Sequence, residues 1–325
     1  MVDAGYISVS FFLLLSGFIL AYNYADAGVK GEVSATRFWK ARVTRLYPIY
    51  LLSLLISLQM LKLEWETQPR GWFFAGFTLT PLLLQGWSPR IATFWNTPAW
   101  TMSTEGFFYI LFPWLISKRM PRQWKWLVGL LLTFWIIGMI PPALYTWLHP
   151  DGDLHPGRYT GGFWMRMLKY TPLPHLPSFL FGMTLAAVNK RIPEASKGRF
   201  WMGLVGFAGL YVVLFYGNQI PFALMHDGLL MPLFGALILG LAGTNPLSHF
   251  FSFKGFVLLG EASYCLYLLH FNLWTVLHDS QLLERTGLIR FDPWISYAFV
   301  ITVALMALHF VERPGAKLMK KLLNA

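Results

Sequence analysis

The stretch PAWTMSTEGFFYILFP, residues Pro98–Pro113, decides the fold, because it sets a carboxylate, Glu105, among apolar and aromatic side chains. A charged side chain near the centre of a bilayer costs roughly 3 kcal/mol or more, so it faces a polar cavity, pairs or stays protonated. On a helix, Thr101, Glu105 and Tyr109 recur every four residues and share one face. Two interpretations stay open: Glu105 handles a proton or binds substrate in a membrane-embedded site, or its carboxyl locks helix packing through hydrogen bonds.

The composition of the 325-residue chain is that of a multispanning membrane protein. The chain is 56% hydrophobic and 13% charged and contains 15 Trp, whereas about one residue in four is charged in soluble domains. The single cysteine, Cys265, excludes an intrachain disulfide and any Cys-rich metal site. An excess of 26 Lys and Arg over 15 Asp and Glu could indicate nucleic-acid binding, but these charges lie in short loops. We therefore expect membrane lipids, and not nucleic acid, as partners.

Apolar segments predict an all-α polytopic fold, with about nine transmembrane helices in one domain covering residues 1–325. Segments of about 17–24 residues suit a hydrocarbon core about 30 Å thick. The predicted spans are Tyr6–Tyr24, Tyr47–Leu63, Ala99–Ser117, Trp124–Trp147, Pro172–Asn189, Phe200–Tyr216, Gly228–Gly243, Phe256–Leu277 and Pro293–Val311. A further segment, Gly71–Gly86, is shorter and broken by Pro81, so we predict that it is re-entrant or paired with the stretch Trp87–Trp100.

The distribution of basic residues predicts the orientation in the membrane. Most of the 26 Lys and Arg lie in the loops 25–46, 118–125, 189–199 and 244–254 and in the tail 312–325. Nine spans put these segments on one side, which the positive-inside rule makes cytoplasmic. We therefore predict an outside N-terminus and a cytoplasmic C-terminus. Because Met1-Val2-Asp3 leads directly into the first span without a basic segment, we also expect that one helix is missing before Met1.

The first basic loop contains a candidate anion-binding pair, Arg42 and Arg45. The two arginines are three residues apart, so on a helical turn both guanidinium groups point the same way. Such a pair suits bidentate contact with a diphosphate or a carboxylate. A role in topology and in binding lipid headgroups explains the same residues. Spacing alone leaves both interpretations open.

A second candidate face lies in GEASYCLYLLHFNLW, residues Gly260–Trp274. Ser263, Tyr267 and His270 follow one another at helical spacing, and Trp274 continues the face. Histidine has a pKa near neutrality, which suits it to proton transfer. The alternative is a histidine that is hydrogen-bonded across a helix interface.

Three other polar groups are expected to have structural roles. Glu261 lies near Lys254, and Glu312-Arg313-Pro314 ends the last span, where a charged pair anchors a helix at the interface. The outer loop HPDGDLHPG (His149–Gly157) has a spacing that suits a metal, but such loops are common and we predict no metal site. The sequence contains no Gly-rich phosphate loop with Lys-Ser/Thr, no GxSxG and no HExxH, which disfavours ATP-driven transport and soluble-type hydrolase chemistry.

Six short motifs follow one another along nearly the whole chain. They are Ser16-Gly17-Phe18, Arg42-x-x-Arg45-x-Tyr47-Pro48, Asn96-x-x-x-Trp100-x-x-Ser103-x-Glu105, Phe179-x-x-Gly182-Met183, Ser263-Tyr264-x-Leu266-Tyr267-Leu268-Leu269-His270 and Val311-Glu312-Arg313-Pro314. In order and spacing they resemble the membrane-bound acyltransferase-3 family. Its members are O-acetyltransferases that modify bacterial surface polysaccharides, lipopolysaccharide among them, as well as peptidoglycan and some lipids or antibiotics.

The resemblance implies a ten-helix core, which would be the nine spans and one helix before Met1. It implies transfer of an acyl group, commonly acetyl, from cytoplasmic acyl-CoA to a hydroxyl of a carbohydrate or lipid-linked acceptor at the bacterial inner membrane. Acyl-CoA would be a co-substrate, with no bound cofactor. The family's first helix carries an arginine and, about three turns on, the central histidine. This chain begins at what resembles the second helix, and His270 belongs to a later motif.

The resemblance also implies roles for the candidate residues. Arg42 and Arg45 would hold the CoA phosphates at the cytoplasmic mouth, and Glu105 and His270 would be catalytic. The substrate path would include Trp100, Ser103, Tyr109, Ser263 and Tyr267. Direct transfer and a covalent acyl intermediate both stay open. Rival functions are a transporter or flippase for a lipid-linked sugar, and an inactive family relative.

Overall fold

A computed structural model of the protein describes residues 5–157, 159 and 161–323. The helices in chain order are α1 (Ile7–Val29), α2 (Ala35–Ile56), α3 (Leu58–Thr67), α4 (Arg70–Leu79), α5 (Trp100–Ile116), α6 (Trp124–Leu148), α7 (Phe163–Tyr170), α8 (Pro172–Asn189), α9 (Lys197–Phe215), α10 (Phe222–His226), α11 (Met231–Leu241), α12 (Pro246–Phe251), α13 (Lys254–Asp279), α14 (Leu282–Arg285), α15 (Trp294–Ala307) and α16 (Arg313–Leu323). A π-helical segment, Leu308–Glu312, joins α15 to α16. The predicted all-α class is therefore confirmed for the described residues. Met1-Val2-Asp3, and the helix expected before them, lie outside those residues.

The chain divides into two compact units, each built from separate stretches of sequence. The first unit comprises residues 5–34, 87–90 and 104–252, with α1, most of α5 and α6–α12. The second comprises residues 35–86, 91–103 and 253–323, with α2–α4, the first turn of α5 and α13–α16. Whether these units form the single domain expected from the sequence stays a prediction.

In the first unit, α1 and α8 pack with their backbones in contact at two glycines. A side-chain carbon on Gly17 would overlap the carbonyl oxygen of Phe179, and one on Gly182 would overlap that of Leu14. Small residues let helices approach this closely, so that van der Waals contact can hold them together in a bilayer. The glycines of two sequence motifs, SGF and FxxGM, therefore have a packing role.

The buried Arg199 closes the ends of two other helices of the first unit. Its guanidinium is 1% exposed and donates to the side chain and carbonyl of Asn189 and to the carbonyls of Ile192, Pro193 and Leu239. These carbonyls lie at or just beyond the C-terminal ends of α8 and α11, where helical carbonyls lack backbone donors and the helix dipole favours a cation. The arginine at the start of α9 is thus a shared C-terminal cap.

The second unit is centred on α13, which packs against α2 and α15. Its core contains apolar side chains of all three helices, each almost fully buried: Ile49, Tyr50, Leu268, Leu269 and Ala304. The Tyr50 hydroxyl donates to the carbonyl of Thr80. The residues after α4 are thereby held against α2.

Six helical segments are long and apolar enough to cross a membrane, or seven if α2 and α3 count as one bent span. The predicted count of about nine is not confirmed. Two of the predicted spans, α5 and α8, are outside these seven, since α5 has 17 residues and the prolines and His175 of α8 make it less apolar. Many α8 side chains are buried among neighbouring helices, so the polar residues do not meet lipid.

Two predicted span boundaries are wrong. Tyr47–Leu63 is not one straight helix, because α2 begins earlier and the axis bends by 60° at Ser57. The Ser57 hydroxyl donates to the carbonyl of Ser53, a local bond that bends helices. Gly228–Gly243 begins too late as a span, because the candidate span is Phe222–Leu241, and it is not one continuous helix, because Gly228 has a positive φ of 84° between α10 and α11. The short segment expected at Gly71–Gly86 agrees with the ten-residue α4.

We expect Gly182→Ala to destabilise the protein by about 1–3 kcal/mol, because the new methyl group overlaps the Leu14 carbonyl and forces α1 and α8 apart. The measurement is the thermal unfolding midpoint of the purified full chain in detergent. Gly129→Ala in α6 is the matched control, since a methyl group there meets no atom within 4 Å. Equal midpoints for the two variants would contradict close packing of α1 on α8.

Candidate functional site

The first half of α2 presents a cation with an unsatisfied donor. Arg42 is partly buried, and its Nε is shielded from solvent without a hydrogen-bond partner among the described residues. Its guanidinium lies 5.4 Å from the ring centroid of Phe38, while Arg45 is exposed. The helix contains no carboxylate that could neutralise either arginine. The predicted pair is thus helical, and Arg42 keeps one donor for an external acceptor.

The predicted polar stripe on α5 is present at Glu105 and Tyr109. The Tyr109 hydroxyl donates to Glu105 Oε2 at 3.2 Å, and both side chains are partly buried. Thr101, one turn earlier, instead donates its hydroxyl to the carbonyl of Pro98. The phenol therefore orients the carboxylate, and a carboxylate held this way can receive or share a proton.

Five buried polar atoms of the second unit lack partners among the described residues: Arg42 Nε, Thr80 Oγ1, Gln85 Oε1, Ser103 Oγ and Asn272 Oδ1. Two of them, Ser103 Oγ and Gln85 Oε1, lie near the start of α5. Ser103 is 1% exposed and Gln85 is fully buried. Gly86 lies against Ser103, where a side-chain carbon would be 3.0 Å from Oγ. The Gln85 amide donates to the carbonyl of Ala99, which orients its oxygen. An unsatisfied buried polar atom costs about 1–3 kcal/mol, so these atoms are candidates for contact with a ligand.

Gln85 was not identified from the sequence. The only signal was an amide side chain inside the apolar run PLLLQGW. Trp100, which was predicted for the substrate path, is buried in the same unit at the start of α5.

The residues before α5 are held by a network of amide side chains in the second unit. Asn96 is fully buried and donates to Ser53 Oγ at 2.9 Å, while Asn272 donates to Asn96 Oδ1 at 2.8 Å. The Tyr267 hydroxyl donates to the carbonyl of Pro98 at 3.2 Å. These bonds join α2, α13 and the turn that begins α5. Asn96 and Tyr267 therefore position this turn.

His270 is exposed on α13, where its Nδ1 lies 2.7 Å from the carbonyl of Tyr267. Nδ1 must carry the proton in this contact, so Nε2 is the basic nitrogen of the neutral ring. Ser263 donates its hydroxyl to Gly260 within the same helix. Trp274 packs on His278, with 4.2 Å between ring centroids.

Glu312 and Arg313 do not act as one interfacial pair. Glu312 is buried, and the thiol of Cys265 donates to its Oε2 at 3.0 Å. Arg313 instead pairs with Glu261 at 2.6 Å. The interpretation of Glu312 as an interfacial anchor is therefore wrong, because the π-helical turn directs its side chain inward. Glu261 is structural as expected, although its partner is not Lys254.

The loop with metal-like spacing caps a helix. Asp151 accepts the backbone N–H groups of Trp164 and Met165 at 3.1 and 2.8 Å and the hydroxyl of Tyr145 at 3.2 Å. It thus satisfies orphan donors at the start of α7. Within the described parts of the chain, no three His, Cys, Asp or Glu side chains are arranged to hold a metal ion.

A buried His–Asp–His cluster in the first unit was missed by the sequence analysis. Asp227 Oδ1 lies 2.8 Å from His175 Nδ1, and Asp227 Oδ2 lies 3.1 Å from His226 Nδ1. His175 Nε2 faces the carbonyl of Lys169 at 3.0 Å. Both ring nitrogens of His175 face oxygen atoms, and the imidazolium beside the Asp227 carboxylate satisfies both contacts by donating from each nitrogen.

The cluster is a buried ion pair, with the side chains of His175 and Asp227 only 0% and 3% exposed. Its signal in the sequence was the presence of ionisable residues in the apolar runs LPHLPSF and MHDGLL. The side chains of the cluster face one another and a backbone carbonyl, so the cluster balances charge inside the helix bundle.

We expect Asp227→Asn to destabilise the protein by about 3–5 kcal/mol, because it leaves the His175 cation buried without a counter-ion. Asp26→Asn is the matched control, since it removes the same charge from an ion pair with Lys190 whose carboxylate side chain is 87% exposed. Both are measured by thermal unfolding of the purified full chain. A midpoint for Asp227→Asn as high as that of the control would show that the buried pair is dispensable.

Comparison with known proteins places the chain among acyltransferases. A family model described as an acyltransferase domain, that of the acyltransferase-3 family, matches residues 3–310. The acyltransferase MdmB of Streptomyces mycarofaciens is 28% identical over 278 residues, which cover 82% of this chain and 67% of that protein. Protein 2 in the picA locus of Rhizobium radiobacter is 43% identical over 51 residues, 16% of this chain and 27% of that protein. No solved structure matches the chain.

The family match agrees with the six motifs in their order along the chain. The motif residues have different roles. Gly17 and Gly182 allow close packing of α1 on α8, and Asn96 holds the turn before α5. Glu105 accepts a hydrogen bond from Tyr109. Since the family model covers nearly the whole sequence, the chain belongs to the acyltransferase-3 family.

Proposed function

We propose that the protein is a membrane-bound O-acyltransferase that moves an acyl group, commonly acetyl, from cytoplasmic acyl-CoA to a hydroxyl of a cell-surface carbohydrate or lipid-linked acceptor. Membership of the acyltransferase-3 family supports acyl transfer in general. The multiple apolar helices support action at a membrane, which we propose is the bacterial inner membrane. The donor assignment rests on one observation, the shielded and unsatisfied Nε of Arg42.

The arginine pair on α2 has the chemistry that binding of CoA requires. CoA carries several phosphate groups, and the planar guanidinium of arginine donates to phosphate oxygens with two parallel bonds. Arg42 supplies a partly desolvated donor and Arg45 an exposed one, on a helix without carboxylates. We therefore assign the donor phosphates to this pair.

The reaction forms a bond between the acceptor oxygen and the acyl carbon and breaks the thioester carbon–sulfur bond. The acceptor hydroxyl loses a proton, and the CoA thiolate gains one. We assign Glu105, oriented by Tyr109, to receiving or sharing that proton. His270, whose Nε2 is its basic nitrogen, is a second candidate for proton transfer.

The substrate path is proposed to include the partnerless hydroxyl of Ser103. This buried hydroxyl can bond to a polar group of the acyl donor or acceptor. The proposed substrate path also includes Trp100, Tyr109, Ser263 and Tyr267. Each of these residues contributes an aromatic ring or a hydroxyl of the kind that binds sugars and acyl groups.

The proposed orientation has the C-terminus in the cytoplasm. Lys40 Nζ donates to the carbonyl of Leu323 at 2.6 Å, and a side-chain carbon on Gly315 would lie 2.7 Å from Pro48. These contacts place α16 along the basic half of α2. If Arg42 binds a cytoplasmic donor, the C-terminal helix lies on the cytoplasmic side as well.

We expect Arg42→Ala/Arg45→Ala to weaken acetyl-CoA binding by roughly tenfold or more per arginine, since a charged hydrogen bond contributes about 1.5–3 kcal/mol. The measurement is equilibrium binding of labelled acetyl-CoA to the purified full chain. Arg119→Ala/Arg122→Ala, with the same spacing in the loop between α5 and α6, is the control and is expected to bind normally.

Two outcomes of this binding experiment would reject the donor assignment. One is a wild-type protein that binds no acyl-CoA, which would favour the transporter or flippase function. That function is then tested by following a lipid-linked sugar across proteoliposomes. The other is equal loss of binding in the two double variants.

We expect Glu105→Gln to lower the acyl-transfer rate by about 10²–10⁴-fold, the usual contribution of a general base, while acetyl-CoA affinity is retained. Tyr109→Phe should cause a smaller loss, because it removes only the bond that orients Glu105. Glu284→Gln, an exposed residue of α14, is the control. The readout is labelled acyl group on the acceptor in membranes that contain each variant. A measurable rate that Glu105→Gln leaves unchanged would reject Glu105 as the proton acceptor. A wild-type protein without acyl transfer, and an unchanged cellular phenotype for Glu105→Gln, would favour the inactive relative.

A further inference from the structure

The C-terminal helix α16, with the sequence RPGAKLMKKLL, combines exposed cations with exposed leucines. Lys317, Lys320 and Lys321 are exposed, and neither α16 nor the π-helical turn before it adds a carboxylate after Glu312. Leu318 and Leu322 are 60% and 73% exposed, although they are large apolar side chains. Positions 318 and 322 are one turn apart, so the leucines form a short apolar strip beside the lysines.

The length of the preceding helix sets the level of α16 in the membrane. Residues Trp294–Glu312 extend about 28 Å at about 1.5 Å per residue, close to the thickness of a hydrocarbon core. The whole segment Trp294–Leu323 has 30 residues and passes as one candidate span. If the span begins at Trp294, the lysines of α16 lie beyond the hydrocarbon core, on the side of the lipid headgroups.

The opposite face of α16 packs on α2, so the leucine strip is not covered by that helix. Gly315 lies against Pro48, and the carbonyl of Leu323 accepts from Lys40 at the other end. The two helices thus run antiparallel, and the basic half of α2 lies beside the lysines. Neither helix contains a carboxylate. Glu261 of α13 pairs with Arg313, whereas Lys317, Lys320 and Lys321 are exposed beside the basic half of α2.

We propose that α16 binds the headgroups of anionic phospholipids. The ammonium groups of Lys317, Lys320 and Lys321 contact lipid phosphate, while Leu318 and Leu322 lie against the first carbons of the acyl chains. Anionic headgroups supply the complementary charge, and interfacial helices with mixed basic and apolar faces bind such surfaces. This site goes beyond acyl transfer and uses lysines that are separate from the proposed CoA-binding pair.

The first experiment measures lipid selectivity of the full chain in nanodiscs that contain phosphatidylcholine and phosphatidylglycerol. Native mass spectrometry then counts the phosphatidylglycerol that stays bound after release from the disc. Lys317→Gln/Lys320→Gln/Lys321→Gln is expected to lower this retention roughly tenfold or more, since each basic residue near an anionic surface contributes about a fivefold gain in affinity. The control is Lys118→Gln/Lys125→Gln/Lys197→Gln, which removes the same charge from other loops. Equal retention by both triple variants would overturn the proposal.

A second experiment locates the leucine strip relative to the lipid. Leu322→Cys can be labelled selectively with an environment-sensitive fluorophore, because the single native cysteine, Cys265, is buried. Phospholipids brominated near the headgroup should quench the label more strongly as phosphatidylglycerol than as phosphatidylcholine. Quenching that does not depend on the headgroup would overturn the role of charge at this site.

Lipid phosphate and CoA phosphate are distinguished by measuring each variant in the other binding assay. The α16 triple variant should bind acetyl-CoA normally, and Arg42→Ala/Arg45→Ala should retain phosphatidylglycerol. Loss of acetyl-CoA binding in the triple variant would assign the lysines to the donor site and overturn the lipid proposal. Failure of the CoA assignment leaves the lipid measurements unaffected, so the two proposals fail independently.

Discussion

The structure depends on the requirement that polar groups buried among membrane helices find partners inside the protein, because lipid offers none. The largest examples are ionic. Arg199 donates to carbonyls at the ends of two helices, and His175 pairs with Asp227. Glu312 accepts the only thiol of the chain. These groups fix how the helices of each unit meet.

Some buried polar atoms have no such partner among the described residues, namely Arg42 Nε, Thr80 Oγ1, Gln85 Oε1, Ser103 Oγ, Trp135 Nε1 and Asn272 Oδ1. Arg42 and Ser103 also belong to the sequence motifs. Leaving them unsatisfied makes physical sense where a polar ligand completes the bonds. The candidate sites are thus identified by buried polar atoms that lack a hydrogen-bond partner, and not by a cluster of reactive residues.

The residues of the family motifs have different physical roles. Gly17 and Gly182 permit backbone contact between α1 and α8, which no larger residue allows. Asn96 holds the turn before α5 through Ser53 and Asn272. Other motif residues, such as Glu105, carry side chains that can take part in proton transfer. A substitution at the first kind lowers stability, whereas one at the second lowers activity, and the two losses are separable by experiment.

Local patterns determined much of this protein. The length of apolar runs predicted α8 at Pro172–Asn189 and α5 within one residue of its bounds, because helix formation depends on neighbours in sequence. The contact of Glu105 with Tyr109 followed from four-residue spacing for the same reason.

Tertiary structure alone decided the pairing of His175 with Asp227, the inward turn of Glu312 and the shielding of Arg42. These contacts join segments far apart in the chain, and no periodicity in the sequence records which distant segments will meet. The number of membrane spans was undecided by sequence for a related reason. A helix buried among other helices, such as α8, carries polar residues that a lipid-facing helix excludes. The hydropathy of its sequence therefore does not predict whether it spans the membrane.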